Sequence, residues 1–157
     1  REGRIHRALV IDLDVHQGDG TAAIFEGDPG VFTFSMHGER NYPTRKMRST
    51  LDGGLADGVG DDEYVERLAG NLAGILASFP ADLVFYLAGV DVVQGDRCGR
   101  LALTEMGLRR RERHVLESCR RVGLPVAITI AGGYAPTPER TAELHAIVFE
   151  EAHALFR

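Results

Sequence analysis

Short apolar segments alternate along this chain with stretches of helical periodicity, and this order constrains the fold more than any other feature. The apolar segments predict strands at residues 7–12, 31–36, 82–88 and 125–131. The periodic stretches predict helices at residues 20–25, 61–79 and 104–122, and a closing helix capped by Thr137 with Pro138 in its first turn. Strands that alternate with helices form parallel sheets, so we expect a parallel α/β fold.

The segment 38–60 interrupts this alternation. It is polar, rich in glycine and contains Pro43, and it shows no periodicity of its own. A connection of this length is usually functional or mobile, so we predict neither strand nor helix within it. Asp61 and Asp62, which follow it, are suited to cap the next helix.

The composition excludes several classes of function. The chain has 157 residues, of which 44 % are hydrophobic and 26 % charged, and its formal net charge is −5. The negative charge disfavours general binding to nucleic acid or anionic membranes, and no apolar run is long enough to span a bilayer. With no signal peptide and no zinc-like spacing of Cys98 and Cys119, we expect a cytoplasmic protein with reduced thiols. Arginines at 109–111 and 113 lie among glutamates, which favours a solvated helix face over a nucleic-acid patch.

Two carboxylates and an imidazole follow the first apolar run, at Asp12, Asp14 and His16. Alternate residues of a strand point the same way, so these three groups would share one face. Such groups are costly to bury unless they are paired, and a divalent metal is a suitable partner. The pattern is also compatible with a capped turn that carries a solvated carboxylate.

Two further strand ends carry unusual residues. Asp91 ends the run Ala-Gly-Val-Asp and precedes Gly-Asp-Arg-Cys-Gly at 95–99, and Tyr134 follows Gly132 and Gly133. Ligands of α/β sheets bind outside the carboxyl ends of the strands. One nitrogen and two oxygens from His16, Asp14 and Asp91 leave a coordination position for water, as a catalytic zinc requires. A tyrosine beside them can donate to an oxyanion, although Asp91 alone could cap a helix and the glycines could form a plain turn.

These motifs resemble those of the zinc-dependent histone deacetylase family. The resemblance rests on Asp-Leu-Asp-Val-His-Gln-Gly-Asp-Gly-Thr at 12–21, the strand end at 88–91, and Gly-Gly-Tyr at 132–134, all in family order. Gln17, which follows His16, and the stretch 37–43 are most similar to the class IV branch and its bacterial relatives. The resemblance implies a three-layer, arginase-like α/β/α fold and hydrolysis of an acetylated or longer acylated lysine or polyamine amide.

The resemblance also implies residue roles. Asp14, His16 and Asp91 resemble the zinc ligands, and Tyr134 resembles the tyrosine that binds the oxyanion. Asp12 resembles a carboxylate that lies beside a structural K⁺ ion. The resemblance also places backbone oxygens near that ion, from Asp14, His16, Ser35 and Met36. The residues implied along the substrate channel are Tyr42, Gly132 and Gly133.

One departure from the family pattern is the absence of an adjacent histidine pair, which in the family precedes the first metal motif and includes the general base. The six histidines here are His6, His16, His37, His114, His145 and His153, none of them adjacent. We therefore expect residues 1–157 to be the carboxyl-terminal part of a single deacetylase catalytic domain, inactive alone unless His37 replaces the base. An uncovered sheet edge or apolar face should make it self-associate or require a partner chain. We expect the helical histidines at 114, 145 and 153 to lie on the surface.

Two other functions remain open. A dimanganese ureohydrolase has the same implied fold, but it would need further carboxylates beside Asp91, where Val92 and Val93 stand instead. The chain could also be a truncated, non-catalytic metal-binding domain. Metal stoichiometry and deacetylase assays distinguish these possibilities.

Overall fold

The computed structural model describes residue 3 and residues 5–157 and contains a five-stranded parallel sheet in the order β3-β2-β1-β4-β5. The strands are β1 (Ala8–Asp12), β2 (Val31–Gly38), β3 (Leu51–Leu55), β4 (Leu83–Ala88) and β5 (Val126–Ile130). The helices are α1 (Asp19–Ile24), α2 (Asp61–Ser78), α3 (Glu105–Arg121) and α4 (Pro138–Leu155). The predicted parallel α/β class is confirmed.

Two of the predicted helix starts are confirmed by their caps. The Thr104 hydroxyl accepts from the Gly107 amide at the start of α3, and the Thr137 hydroxyl accepts from the Arg140 amide at the start of α4. The start of α2 differs, because Gly60 occupies the capping position without a side-chain bond. The Asp61 carboxylate instead accepts hydrogen bonds from the amide and the hydroxyl of Thr104, which ties the starts of α2 and α3 together.

One face of the sheet is covered by α2, α3 and α4. Side chains that alternate along the central strands, such as Leu9, Ile11, Val84 and Tyr86, are fully buried there. They form one hydrophobic core with the apolar stripes of the three helices. Burial of each such side chain contributes about 1.5–3 kcal/mol of transfer free energy, so this face dominates the stability of the chain.

The opposite face of the sheet, which we call the open face, carries only α1 among the helices of the described residues. It is lined by Ala8, Val10, Thr21, Phe25, Val31, Phe85, Leu87 and Thr129, around a groove of about 340 Å³. Phe85 lies in the middle of a central strand and is nevertheless 40 % exposed. An apolar surface of this kind is usually covered by other protein, and the predicted self-association concerns this face.

The strand β3 was not predicted, and the expectation of an unstructured segment at 38–60 is wrong for these five residues. It pairs in parallel with β2, with Leu51 opposite Phe34 and Leu55 opposite Gly38. Its sequence, Leu-Asp-Gly-Gly-Leu, has low strand propensity because of the two glycines. A Cβ at Gly53 would lie 3.0 Å from the Met36 side chain, so the glycine permits the two strands to pack closely.

The expectation of a solvated arginine face on α3 is wrong at its centre. Arg111 and Glu112 are 0 % and 1 % exposed and form a buried ion pair. The neighbouring arginines are partly exposed and pair with acidic groups of other helices: Arg109 with Glu150 and Glu151, Arg110 with Asp62, and Arg113 with Glu151. Among the described residues, no helix is both long and apolar enough to cross a membrane.

Candidate metal centre

Asp14, His16 and Asp91 converge at one edge of the sheet. Asp14 and His16 follow β1, and Asp91 follows β4, the neighbouring parallel strand. One potential ligand atom from each residue lies within 4.8 Å of the other two. His16 Nδ1 lies 3.1 Å from Asp14 Oδ1 and 3.3 Å from Asp91 Oδ2. The structure thus brings together the three residues that the sequence nominated as metal ligands.

The two carboxylates are held by backbone amides. The Val15 amide donates to Asp91 Oδ1 at 2.8 Å, and the Gly132 amide donates to Asp14 Oδ2 at 2.6 Å. Asp91 is fully buried, yet its Oδ2 has no hydrogen bond of acceptable geometry within the described residues, despite the nearby imidazole. Leaving a buried carboxylate oxygen without a partner is costly, and a bound cation would satisfy it.

Burial and neighbouring groups perturb the pKa values of Asp91 and His16. Burial raises the pKa of Asp91 to about 6, an effect only partly offset by the nearby His16 imidazole and the hydrogen bond from the Val15 amide. The pKa of His16 is raised chiefly by the Asp91 carboxylate, with a further contribution from Asp14. A divalent cation between these groups would favour the ionised carboxylates and the neutral imidazole. The residues therefore fit a metal ion.

Gly132 closes one side of the cluster. A Cβ at this position would overlap Asp91 Oδ2 and would stand 2.5 Å from Asp14 Oδ2. Its carbonyl also accepts from the Val90 amide at 2.7 Å, so the loop after β5 is fastened to the loop after β4. The predicted Gly-Gly motif therefore provides close approach of backbone to the carboxylates.

The backbone of Tyr134 is held by the loop after β4, while its side chain is 56 % exposed. Its amide donates to Asp96 Oδ2 at 2.6 Å, and its carbonyl accepts from the Arg97 amide at 3.2 Å. Arg97 also donates to the Pro136 carbonyl at 2.8 Å. The sequence marks the motif at 95–99 as unusual but does not predict the role of Asp96 in fixing this loop.

Asp12 lies beside the candidate metal ligands and is 4 % exposed. Its Oδ1 accepts from the Asp14 amide at 3.1 Å, and burial raises its pKa to about 7. Ser35 lies opposite Asp12 in the sheet, and its hydroxyl accepts from the Gly18 amide at 3.3 Å. The Met36 side chain points to the other face of the sheet and is buried in the core.

The segment between β2 and β3 is fastened by Gln17, which the sequence reasoning used only as a family marker. Its side-chain amide donates to the Met47 carbonyl and accepts from the Met47 amide, both at 2.8 Å. It also donates to Asp52 Oδ1 at 2.8 Å. Tyr42, in the same segment, is 71 % exposed. A glutamine directly after the metal motif is the signal that could have indicated this contact.

The other histidines lie outside the cluster. His37 is 3 % exposed, its Nδ1 lies 3.0 Å from the Ser35 hydroxyl, and burial lowers its pKa. His153 is exposed as expected, but His114 and His145 are half-buried, so the expected surface position is wrong for both. His145 lies close to Gly133, and its buried Nδ1 has no hydrogen-bond partner in the described part of the chain.

A second cluster of potential metal ligands does not occur within residue 3 and residues 5–157. The position after Asp91 is occupied by Val92, whose side chain is fully buried in the core. The described residues therefore offer one cluster of potential ligands, formed by Asp14, His16 and Asp91.

Comparisons with known sequences identify relatives of this chain. A family profile described as "Histone deacetylase domain" matches residues 1–151. An uncharacterized protein of Picosynechococcus sp. is 51 % identical over 156 residues, which cover 99 % of this chain and 52 % of that protein. Histone deacetylase 2 of Arabidopsis thaliana is 31 % identical over 140 residues, which cover 87 % of this chain and 36 % of that protein. The chain thus spans about half the length, or less, of these relatives.

Solved structures show the same fold. The HDA15 HD domain superposes with a TM-score of 0.74 at 26 % identity, covering 93 % of this chain and 45 % of that one. The acetylpolyamine aminohydrolase from Burkholderia pseudomallei superposes with a TM-score of 0.80 at 25 % identity, covering 97 % of this chain and 46 % of that one. The deacetylase-like α/β fold that the sequence predicted is confirmed. Because the family profile covers nearly the whole chain and the fold agrees with it, the chain belongs to the histone deacetylase domain family.

Proposed function

We propose that this chain carries the metal site of a deacylase that hydrolyses the acyl amide of a lysine side chain or a polyamine. The observation that carries the proposal is the convergence of Asp14, His16 and Asp91 around a buried carboxylate oxygen that has no hydrogen-bond partner in the part of the chain that the structure describes. Family membership supports the reaction class. The likeness to an acetylpolyamine aminohydrolase supports inclusion of polyamines among the substrates to be tested.

The donor set of one nitrogen and two oxygens fits a catalytic zinc site with an open coordination position. A bound zinc ion would supply Lewis acidity and lower the pKa of a coordinated water toward neutrality. A K⁺ ion beside Asp12 is a further part of the proposal. It would favour the ionised form of a carboxylate whose pKa burial raises to about 7.

The residues of the chain itself would orient the substrate and stabilise charge. In the proposed reaction, the Tyr134 hydroxyl donates a hydrogen bond to the amide oxygen as negative charge develops there. Asp96 holds the Tyr134 backbone, and the exposed side chain remains free to approach a substrate. Tyr42 and the two glycines that precede Tyr134 would line the path of the acyl group.

A general base is the group that this chain does not provide. No two of its six histidines are adjacent, and His37 is buried against Ser35. We propose that the base comes from a further segment, as the half-length match to the relatives permits. Loss of general acid–base assistance typically lowers the rate 10²–10⁴-fold, so we expect no appreciable turnover by the isolated chain.

The metal site is tested by elemental analysis and zinc titration of the chain and its Asp14→Ala variant. We expect one zinc ion per wild-type chain and none held stoichiometrically by the variant. Gly20→Ala in α1 is a suitable control, because an added Cβ at this position meets nothing within 4 Å. Equal zinc content in wild type and Asp14→Ala would refute the assignment, and two metal ions per chain would favour a dinuclear hydrolase.

The reaction is tested by turnover of acetyl-lysine peptides and acetylated polyamines. The isolated chain is compared with a fusion that adds the part of the Picosynechococcus relative outside the 156-residue match. Activity in the fusion alone would support a shared catalytic domain. Activity in neither, with zinc bound in both, would favour a non-catalytic metal-binding protein. Full activity of the isolated chain would refute the assignment of the base to another segment.

A further inference from the structure

A fully buried ion pair on α3 reaches the backbone of the candidate metal site. Arg111 and Glu112 pair through the guanidinium and Oε1, and Glu112 Oε2 accepts from the Tyr86 hydroxyl. Arg111 Nη1 also donates to the Leu13 carbonyl at 3.0 Å. Leu13 directly precedes Asp14, so the contact links α3 to the segment that carries two of the proposed ligands.

The contact fixes one peptide group from both ends. Arg111 binds the carbonyl of the Leu13–Asp14 peptide, and Asp12 Oδ1 accepts from its amide at 3.1 Å. The next amide, that of Val15, donates to Asp91 Oδ1 at 2.8 Å. With these bonds in place, the backbone that orients the Asp14 carboxylate toward Asp91 has little freedom to rotate.

Packing alone does not account for a charged pair at this place. Taking two charges fully out of water is unfavourable, and apolar residues of similar volume often stabilise a core as well or better. A guanidinium, however, presents separate donors in a rigid fork, so one group can bind a carboxylate and a carbonyl at once. Neither an apolar side chain nor a single ammonium group offers the same geometry.

We propose that Arg111 is a positioning residue that aligns Asp14 and His16 for metal binding through the Leu13 carbonyl. Glu112 and Tyr86 complete the assembly, since they hold the guanidinium in the orientation that reaches Leu13. This inference rests on the proposed metal site and extends it to a pair of residues on a distant helix. Partners of this kind typically change metal affinity 10–100-fold when they are removed.

The test is the zinc affinity of Arg111→Met/Glu112→Gln, measured by calorimetry on the purified chain. The double variant leaves no uncompensated buried charge and keeps an acceptor for the Tyr86 hydroxyl. A matched control is Arg109→Met/Glu151→Gln, which removes an ion pair between α3 and α4 that lies 2.8 Å apart and makes no hydrogen bond with β1 among the described residues. We expect affinity about 10-fold lower or more in the first variant. The control should bind zinc as the wild type does.

Substitution of cobalt for zinc supplies a second measurement, because the d–d absorption spectrum of the bound cobalt reports its coordination geometry and not the stability of the protein. We expect an altered spectrum in the Arg111 variant and an unchanged one in the control. Arg111→Lys retains the charge, but all its donors lie on one nitrogen, so we expect it to bind zinc more weakly than the wild type does. This variant tests the proposal if the double variant does not fold. Wild-type affinity and spectrum in the folded Arg111 variants, or equal losses in the control, would overturn the proposal.

Amide hydrogen exchange without metal separates this proposal from the metal assignment. We expect the amides of Asp14 and Val15 to exchange about 10-fold faster or more in the Arg111 variant, with the amide of Ile11 in β1 unchanged. If Asp14→Ala still binds zinc, the metal assignment fails whatever the exchange shows. If Asp14→Ala loses zinc but exchange and affinity in the Arg111 variant stay as in the wild type, only the positioning role fails.

Discussion

Replacing Gly132 with alanine tests the geometry of the metal centre with a single methyl group. The added Cβ would overlap Asp91 Oδ2 and lie 2.5 Å from Asp14 Oδ2, whereas ordinary contacts fall at 3.4–4 Å. The φ angle of Gly132 is not in the left-handed region, so the effect is steric and not a matter of backbone strain. To relieve the overlap, the two carboxylate oxygens or the loop must move by roughly 1 Å.

A displacement of that size is large for a metal site, where ligand distances are set within about 0.2 Å. We expect Gly132→Ala to lower zinc affinity by about 100-fold or more, beyond the usual effect of residues that only support the ligands. Overpacking should also lower the free energy of unfolding by about 1–3 kcal/mol. Calorimetric titration with zinc and urea denaturation measure the two effects.

The matched control is Gly20→Ala in α1, where an added Cβ meets nothing within 4 Å. We expect zinc affinity there to equal that of the wild type. If Gly132→Ala binds zinc as tightly as Gly20→Ala, then the loop after β5 does not crowd the carboxylates, and the close approach at Gly132 does not shape the site.

Three further predictions concern catalysis and stability. In the active fusion, Tyr134→Phe should lower kcat by about 10²-fold or more with a smaller change in KM, and unchanged kcat would show that Tyr134 is only a loop residue. Gly74→Ala, on the exposed side of α2 with nothing within 4 Å, should raise the free energy of unfolding by about 0.5–1 kcal/mol, as urea denaturation would show. Burial would raise the pKa of Glu151, but its hydrogen bonds with Arg109 and Arg113 outweigh this and lower it. Because the folded-state pKa is lowered, the free energy of unfolding of the wild type should exceed that of Glu151→Gln by about 1–2 kcal/mol near pH 7. That difference should shrink as the pH falls below about 4, and a difference that grows in acid would contradict the ion pairing.

The order of strands and helices could be predicted because it depends on local pattern. Apolar runs such as 82–88 and capping residues such as Thr104 and Thr137 act over a few neighbouring positions. The strand β3 could not be predicted in this way. Its residues Leu51–Leu55 have no intrinsic preference for a strand, and their conformation is stabilised by pairing with β2, which lies before them in the chain.

The grouping of Asp14, His16 and Asp91 could also be anticipated from the sequence. Each follows an apolar strand, and the carboxyl ends of parallel strands meet at one edge of the sheet. The sequence did not indicate that the Asp91 oxygen would lack a partner, or that Asp96 would hold the Tyr134 loop. Both facts depend on the path of loops that come together only in the folded chain.

Local sequence pattern was enough to predict the class of fold and to nominate the three candidate ligands, because periodicity and motif order are properties of neighbouring residues. Which charged residues are buried depends instead on contacts between distant segments. Arg111 and Glu112 stand among exposed arginines and glutamates and have the same local pattern as their neighbours. They differ only because α3 turns them toward Tyr86 and the Leu13 carbonyl, and a buried charge is tolerated only where such partners from distant segments meet it.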